Sequence, residues 1–213
     1  MKIALIGATG FVGKELLKEA VSRGHSVTAL VRNVDKVEKL DGVKAVKVDV
    51  LDAADLTAKL GGSDIVLSAY NPGWGVDDIQ AIHIKASKAI TEATKKAGIK
   101  RLIVVGGAGS LFNAEGKQFV DGPDFPAEWK EGALGARQAL NDLKTENGLD
   151  WSFVSPPFAL VPGPRTGTYR LGKDNPVFNA EGHSTISASD LAVAILDEAE
   201  SGKHIQQRFT VGY

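Results

Sequence analysis

Gly7, Gly10 and Gly13 are the residues whose spacing most directly implies chemistry. They lie in Gly7-Ala8-Thr9-Gly10-Phe11-Val12-Gly13, straight after an apolar run from Ile3 to Ile6. The first glycine permits a tight turn. The second lets the backbone approach a pyrophosphate, and the third lets a helix pack close on a strand. The helix that follows offers unpaired amides and a partial positive charge to phosphate oxygens. Gly7, Thr9, Gly10, Phe11, Val12 and Gly13 are therefore the expected contacts of a nicotinamide dinucleotide.

The tip of the second strand selects between two such dinucleotides. An NAD(H) site wants a carboxylate there, bonded to the ribose 2′-hydroxyl. This chain has Leu30-Val31-Arg32-Asn33, with Lys36 one turn on. A guanidinium clamps a 2′-phosphate and stacks on adenine. NADP(H) is the expected ligand in preference to NAD(H), with Arg32, Asn33 and Lys36 as contacts. Asp49 and Val50, after the third strand, are expected near the adenine edge. Ser68, Ala69 and Tyr70, after the fourth, are expected to pass under the ribose.

Candidates for a second ligand are aromatic: Trp74, Phe112, Phe125, Trp129 and Phe158 lie in loops that follow strands. Apolar walls of this kind suit a flat molecule. Of the four histidines only His83, inside the longest helix, is a candidate proton donor. No His, Asp or Glu cluster has metal-ligand spacing, and the absence of cysteine removes thiolate chemistry and disulfides. No Ser-His-Asp arrangement can be assembled.

The elements that must position these residues alternate between strand and helix. Strands are expected at Ile3–Ile6, Val27–Val31, Val43–Val48, Asp64–Leu67, Arg101–Val105, Trp151–Val154 and Phe209–Val211. Short extended pieces are expected at Tyr169–Leu171 and Pro176–Asn179. Helices are expected at Phe11–Arg23, Val34–Leu40, Asp52–Leu60, Val76–Ala97, Lys130–Asn147 and Ser189–Ala199, the longer ones with apolar residues three and four apart. Asn33 and Asp52 are placed to cap two of them. Near-continuous apolar strands between helices imply a Rossmann-type, doubly wound parallel sheet of the α/β class, with helices on both faces. Ligands then sit at the carboxyl ends of the strands. Residues 1–213 are expected to form one domain, with about 156–187 as a small C-terminal lobe on the substrate side. The long irregular stretch from Gly106 to about Glu128 is expected to be functional.

Bulk properties narrow the partners. With 25 basic and 26 acidic residues the net charge is −1, so no basic excess points to nucleic acid. No apolar run reaches membrane-spanning length and none resembles a signal peptide, so a cytoplasmic protein is expected. The expected partner is a small, flat acceptor; neither monomer nor homodimer is favoured.

Taken together the motifs resemble a known family. The glycine loop, Val-Arg-Asn after strand two and Val-Asp-Val after strand three look like the atypical short-chain dehydrogenase/reductases. Val104-Val105-Gly106-Gly107-Ala108-Gly109-Ser110-Leu111, Asp124-Phe125-Pro126-Ala127-Glu128-Trp129, Asp150-Trp151-Ser152-Phe153 and Arg165-Thr166-Gly167-Thr168-Tyr169-Arg170 are similar to the NADH-flavin reductase group within them. That group is related to biliverdin-IXβ/flavin reductases and NmrA-like proteins. The resemblance implies that Gly106, Gly107 and Pro156 contact the dinucleotide, that Pro156 and Pro157 flank the nicotinamide, and that Ser110 stands where the family keeps a catalytic serine.

One departure matters. Ordinary members carry a Tyr-x-x-x-Lys acid/base pair on the helix after strand five. Here that helix reads Ala133-Leu134-Gly135-Ala136-Arg137 and holds no tyrosine. Alcohol–ketone chemistry and epimerisation through transient oxidation are disfavoured accordingly. A flavin (FMN, FAD or riboflavin) or a quinone accepts hydride without a tuned acid, because its proton can come from water. The expected activity is thus an NAD(P)H-dependent reductase of a flat acceptor, with flavin as a substrate. The alternatives are a non-catalytic NADP(H) sensor of NmrA-like type, and an isomerase or a reductase of an unrelated metabolite.

Overall fold

The computed structural model describes residues 1–213. Its first strand, β1 (Lys2–Ile6), sends Ile3 and Leu5 into one core and Ala4 and Ile6 into the other. That two-sided burial is what a central strand of a covered sheet requires. Then come α1 (Phe11–Ser22), β2 (Ser26–Val31), β3 (Val43–Lys47), α2 (Ala53–Leu60), β4 (Ile65–Ser68) and α3 (Ile79–Lys96). The second half adds β5 (Arg101–Val105), α4 (Ala127–Lys144), β6 (Asp150–Ser155), β7 (Ala159–Val161), β8 (Arg170–Gly172), β9 (Thr185–Ser187), α5 (Ala188–Ser201) and β10 (Gln207–Gly212).

The main sheet runs β3-β2-β1-β4-β5-β6-β10-β8, parallel except where β8 pairs antiparallel with β10. Its first six positions are the Rossmann order, which reverses between β1 and β4. Helices α1 and α5 pack together over one face, and α2, α3 and α4 over the other. The fold class expected from the sequence is the one observed. No helix is long and apolar enough to cross a membrane.

Several local expectations need correction. The helix expected over Val34–Leu40 is a single 3-10 turn, Val34–Lys36. Val37 takes an extended backbone (φ −77°, ψ 129°) and turns its side chain into the core, so the helix cannot continue. Asn33 does cap that turn, and Asp52 caps α2. Helix α3 begins at Ile79 rather than Val76, because Gly73, Gly75 and Asp78 all have positive φ. Helix α4 starts and ends three residues early, following Pro126, whose fixed φ suits a helix start. Pro176–Asn179 forms no strand. Within 156–187, β7 and β9 make a separate two-stranded sheet, whereas β8 joins the edge of the main one.

Candidate dinucleotide and acceptor site

The carboxyl ends of β1 to β6 open into one cleft of about 2080 Å³. A single small-molecule site occupies roughly 300–1,000 Å³, so this cleft has room for a dinucleotide and a second ligand.

At its centre, Gly7 has φ +81° and a Cβ there would lie 2.6 Å from the Ala69 carbonyl oxygen. A Cβ at Gly13 would lie 2.0 Å from the Gly7 oxygen, which is how closely α1 crosses the loop. Gly10 caps α1 without a side-chain bond to the first-turn amides. A cradle of this shape fits a pyrophosphate. Gly7, Thr9, Gly10, Phe11 and Val12 line the cleft; Gly13 is buried behind them.

Arg32, Asn33, Lys36, Asp49 and Val50 line one end. Arg32 and Lys36 are exposed there. The Asn33 side-chain oxygen accepts the Asp35 amide at 3.0 Å, and Asp49 Oδ1 accepts the Leu51 amide at 3.0 Å. Both side chains thus serve their own turns. Ala69 and Tyr70 line the cleft, whereas Ser68 is buried below it. Burial raises the Tyr70 hydroxyl pKa, with Arg32 opposing and Asp49 adding to the shift.

The other end is walled by Trp74, Phe112, Phe125, Trp129 and Phe158, with Gly106, Gly107, Pro156 and Pro157 along the floor. A Cβ at Gly106 would run into the Phe153 ring at 1.9 Å, so this floor must be glycine. Phe158 meets Phe119 edge-on at 4.7 Å. The loop after β5 is pinned at three points. The Phe112 amide donates to the Asp174 carbonyl at 2.8 Å, Asn175 Nδ2 donates to the Phe112 carbonyl at 2.9 Å, and Arg137 of α4 bonds Asp121 at 2.8 Å.

Ser110 does not face the cleft. It is 2% exposed, and Arg208 Nη1 approaches its Oγ and its carbonyl at 3.4 and 3.3 Å. Arg208 also bonds Asp174 and stands over the Phe112 ring at 5.9 Å. The hydroxyl is part of a buried anchor for the loop.

The face of α4 nearest the floor is made of Gly132, Ala133 and Ala136, all lining the cleft. The sequence alone marked Ala133 and Ala136 only as places without a tyrosine, and it did not mark Gly132. Their signal was small residues three and four apart on one helix face, which lets neighbours approach. Trp74 uses that room: a Cβ at Gly132 would lie 2.8 Å from its ring. One Tyr-x-x-x-Lys spacing does exist, Tyr169 to Lys173. It spans β8, not a helix, and the Tyr169 hydroxyl donates to Asp197 on α5. Neither residue lines the cleft.

A family of NAD(P)H-binding proteins matches residues 7–201. The chain belongs to that family. It is 43% identical over 215 residues to the uncharacterised protein YwnB of Bacillus subtilis, covering 99% of this chain and 98% of that one. Among solved structures it is similar to a candidate epimerase of Bacteroides thetaiotaomicron, at 43% identity and TM-score 0.92, covering 100% of this chain and 96% of the other. It is also similar to a candidate NADH-flavin reductase of Streptococcus pneumoniae, at 36% identity and TM-score 0.87, covering 100% and 99%. The names given to these family members differ in the reaction they imply, so the reaction has to be argued from the site.

Proposed function

We propose that this protein is an NADPH-dependent reductase of flat acceptors, flavins or quinones. The observation that carries the reading is the continuity of the cleft from the glycine cradle to the aromatic walls. The amides of the Gly7–Gly13 loop and the start of α1 hold the pyrophosphate. Arg32 and Lys36 are exposed side chains of the cleft lining and are placed to hold a 2′-phosphate. Gly106, Gly107 and Pro156 support the nicotinamide. Trp74, Phe112, Phe125, Trp129 and Phe158 exclude water and sandwich the acceptor. The bound reduced nicotinamide supplies a hydride equivalent; the residues orient its partner at reacting distance, roughly 3–3.5 Å.

The test is oxidation of NADPH, and separately NADH, followed by loss of nicotinamide absorbance with FMN, riboflavin and a small quinone. Turnover favouring NADPH is expected. Tight NADPH binding without turnover on any acceptor would overturn the reductase and put the sensor reading in its place. Substrate conversion without net NADPH consumption would favour an isomerase.

A further inference from the structure

The Lys and Arg side chains that line the dinucleotide cleft are Arg32, Lys36 and Lys117. Arg32 and Lys36 stand at the adenosine end, where the reading above places the 2′-phosphate. Lys117 stands at the other end, in the turn closed by the antiparallel bridge between Phe112 and Gln118. Its Nζ already donates to Glu115 Oε2 at 3.0 Å. The carboxylates of the lining are distributed the other way. Glu115, Asp121 and Asp124 all belong to the loop that carries Phe112 and Phe125, whereas Asp49 stands at the adenosine end.

Asp121 accepts from Arg137 Nη1 through both its oxygens, at 2.8 and 2.9 Å, and Arg137 lies outside the lining. Asp124 is exposed beside the Phe125 wall. The acceptor end thus carries aromatic rings on its walls and carboxylates at its rim, and Glu115 neutralises its lysine. An anion taken from water into such a place needs cations or donors to replace its hydration. A phosphate on the acceptor has two ways to lie. Along the cleft it meets the dinucleotide's own phosphates. Outward it crosses the rim of Glu115, Asp121 and Asp124. Both directions set like charge beside like charge, which is unfavourable.

We propose that the acceptor end selects uncharged flat molecules and rejects their phosphorylated forms: riboflavin and simple quinones are substrates, and FMN and FAD are poor ones. This rests on the reductase reading and narrows its substrate class. Riboflavin and FMN present the same ring to the aromatic walls. Hydride from the reduced nicotinamide and one proton from water convert either to its dihydro form, so the ring chemistry does not separate them. Discrimination comes from the repulsive rim. Asp124 is its specificity-determining residue. It is exposed, it adjoins Phe125, and the three anchors of the loop do not involve it.

The test measures kcat/KM for riboflavin and for FMN at saturating NADPH, in low and high salt. Riboflavin is expected to exceed FMN about tenfold at low ionic strength. The gap should close in about 0.5 M salt, where exposed charges are screened within a few ångströms. Asp124→Lys should raise the FMN-to-riboflavin ratio about tenfold, and the conservative Asp124→Asn should raise it by a smaller factor. FMN turnover equal to or above that of riboflavin, or a ratio that neither salt nor the Asp124 variants move, would overturn the proposal. If neither flavin is turned over, quenching of flavin fluorescence by the NADP+-loaded protein decides. Tighter binding of riboflavin than of FMN, with the difference lost in high salt, sustains the charge filter. Equal or tighter binding of FMN, or binding of neither, overturns it. The reductase reading fails separately, on absence of turnover with flavins and quinone alike.

Discussion

A Cβ placed on Gly13 would stand 2.0 Å from the carbonyl oxygen of Gly7, closer than any real contact. A Cβ on Gly10 meets only that same oxygen, at 3.3 Å. The two glycines should therefore fail differently. Gly13→Ala forces α1 off β1, and overpacking of this kind costs about 1–3 kcal/mol. A fall of roughly 2–12 °C in Tm is expected for a chain of this size, with loss of NADPH binding. Gly10→Ala should keep its Tm within about 2 °C and still lose NADPH affinity, because the methyl group occupies the phosphate cradle. Thermal melts beside a binding titration separate the two; equal Tm losses would contradict the assignment.

In the proposed reading, Arg32 selects NADPH over NADH. A hydrogen bond to a charged group contributes about 1.5–3 kcal/mol. Arg32→Ala should thus raise the Kd for NADPH by roughly 10- to 100-fold. The Kd for NADH should change by less than about threefold, since a ribose hydroxyl makes no ion pair. The NADPH effect should shrink at high salt, because Arg32 is exposed and screened. A mutant that weakens both dinucleotides equally would place Arg32 over the adenine ring instead.

What was legible in the sequence is what depends on nearby residues. The Gly7–Gly13 loop and the strand ends follow from turn geometry and apolar periodicity, both local. The role of Ser110 was not legible, because Arg208, which buries it, lies 98 residues away. The Arg165–Arg170 motif is equally non-local. Arg165 bonds Glu19 of α1, Thr166 bonds Asp190 of α5 and Tyr169 bonds Asp197 of α5. It straps the chain across two helices and forms no part of the cleft. Three-residue strands such as β7 and β9 carry too little periodicity to be seen before their pairing is known.

Ser110→Ala tests the serine directly. Its Oγ meets Arg208 and not the cleft, so turnover should stay within about twofold, and stability should fall by about 1 kcal/mol for the lost hydrogen bond. Arg208→Met should do the reverse. It frees the loop that carries Phe112, raising the KM for the acceptor while leaving the Kd for NADPH unchanged. Steady-state kinetics on the two variants distinguish the roles; a large loss of kcat in Ser110→Ala with unchanged KM would restore the catalytic serine.

Acid should destabilise the fold in two stages. His83 is held neutral, with its pKa lowered from 6.5 to about 4 by burial. Between those values the unfolded chain binds the proton and the native one does not, so stability is fully present above pH 6.5 and falls as the pH drops toward 4. The size is roughly 3 kcal/mol at most, at 1.36 kcal/mol per pKa unit. A second loss follows below the ordinary carboxylate range. Glu19 is held low first by Arg165, then, against burial, by Arg23. Burial raises Asp190, but bonds from Thr166, Tyr213 and the Gly167 amide outweigh it. Burial also raises Glu198, outweighed by His204 and Arg101. Each of these groups stabilises the fold above its unfolded pKa and ceases to as pH falls through the lower folded value. Denaturant unfolding from pH 8 to pH 3 should show a first decline that His83→Gln abolishes and a second that it leaves intact. A first decline that survives in His83→Gln would assign it to groups other than the buried imidazole.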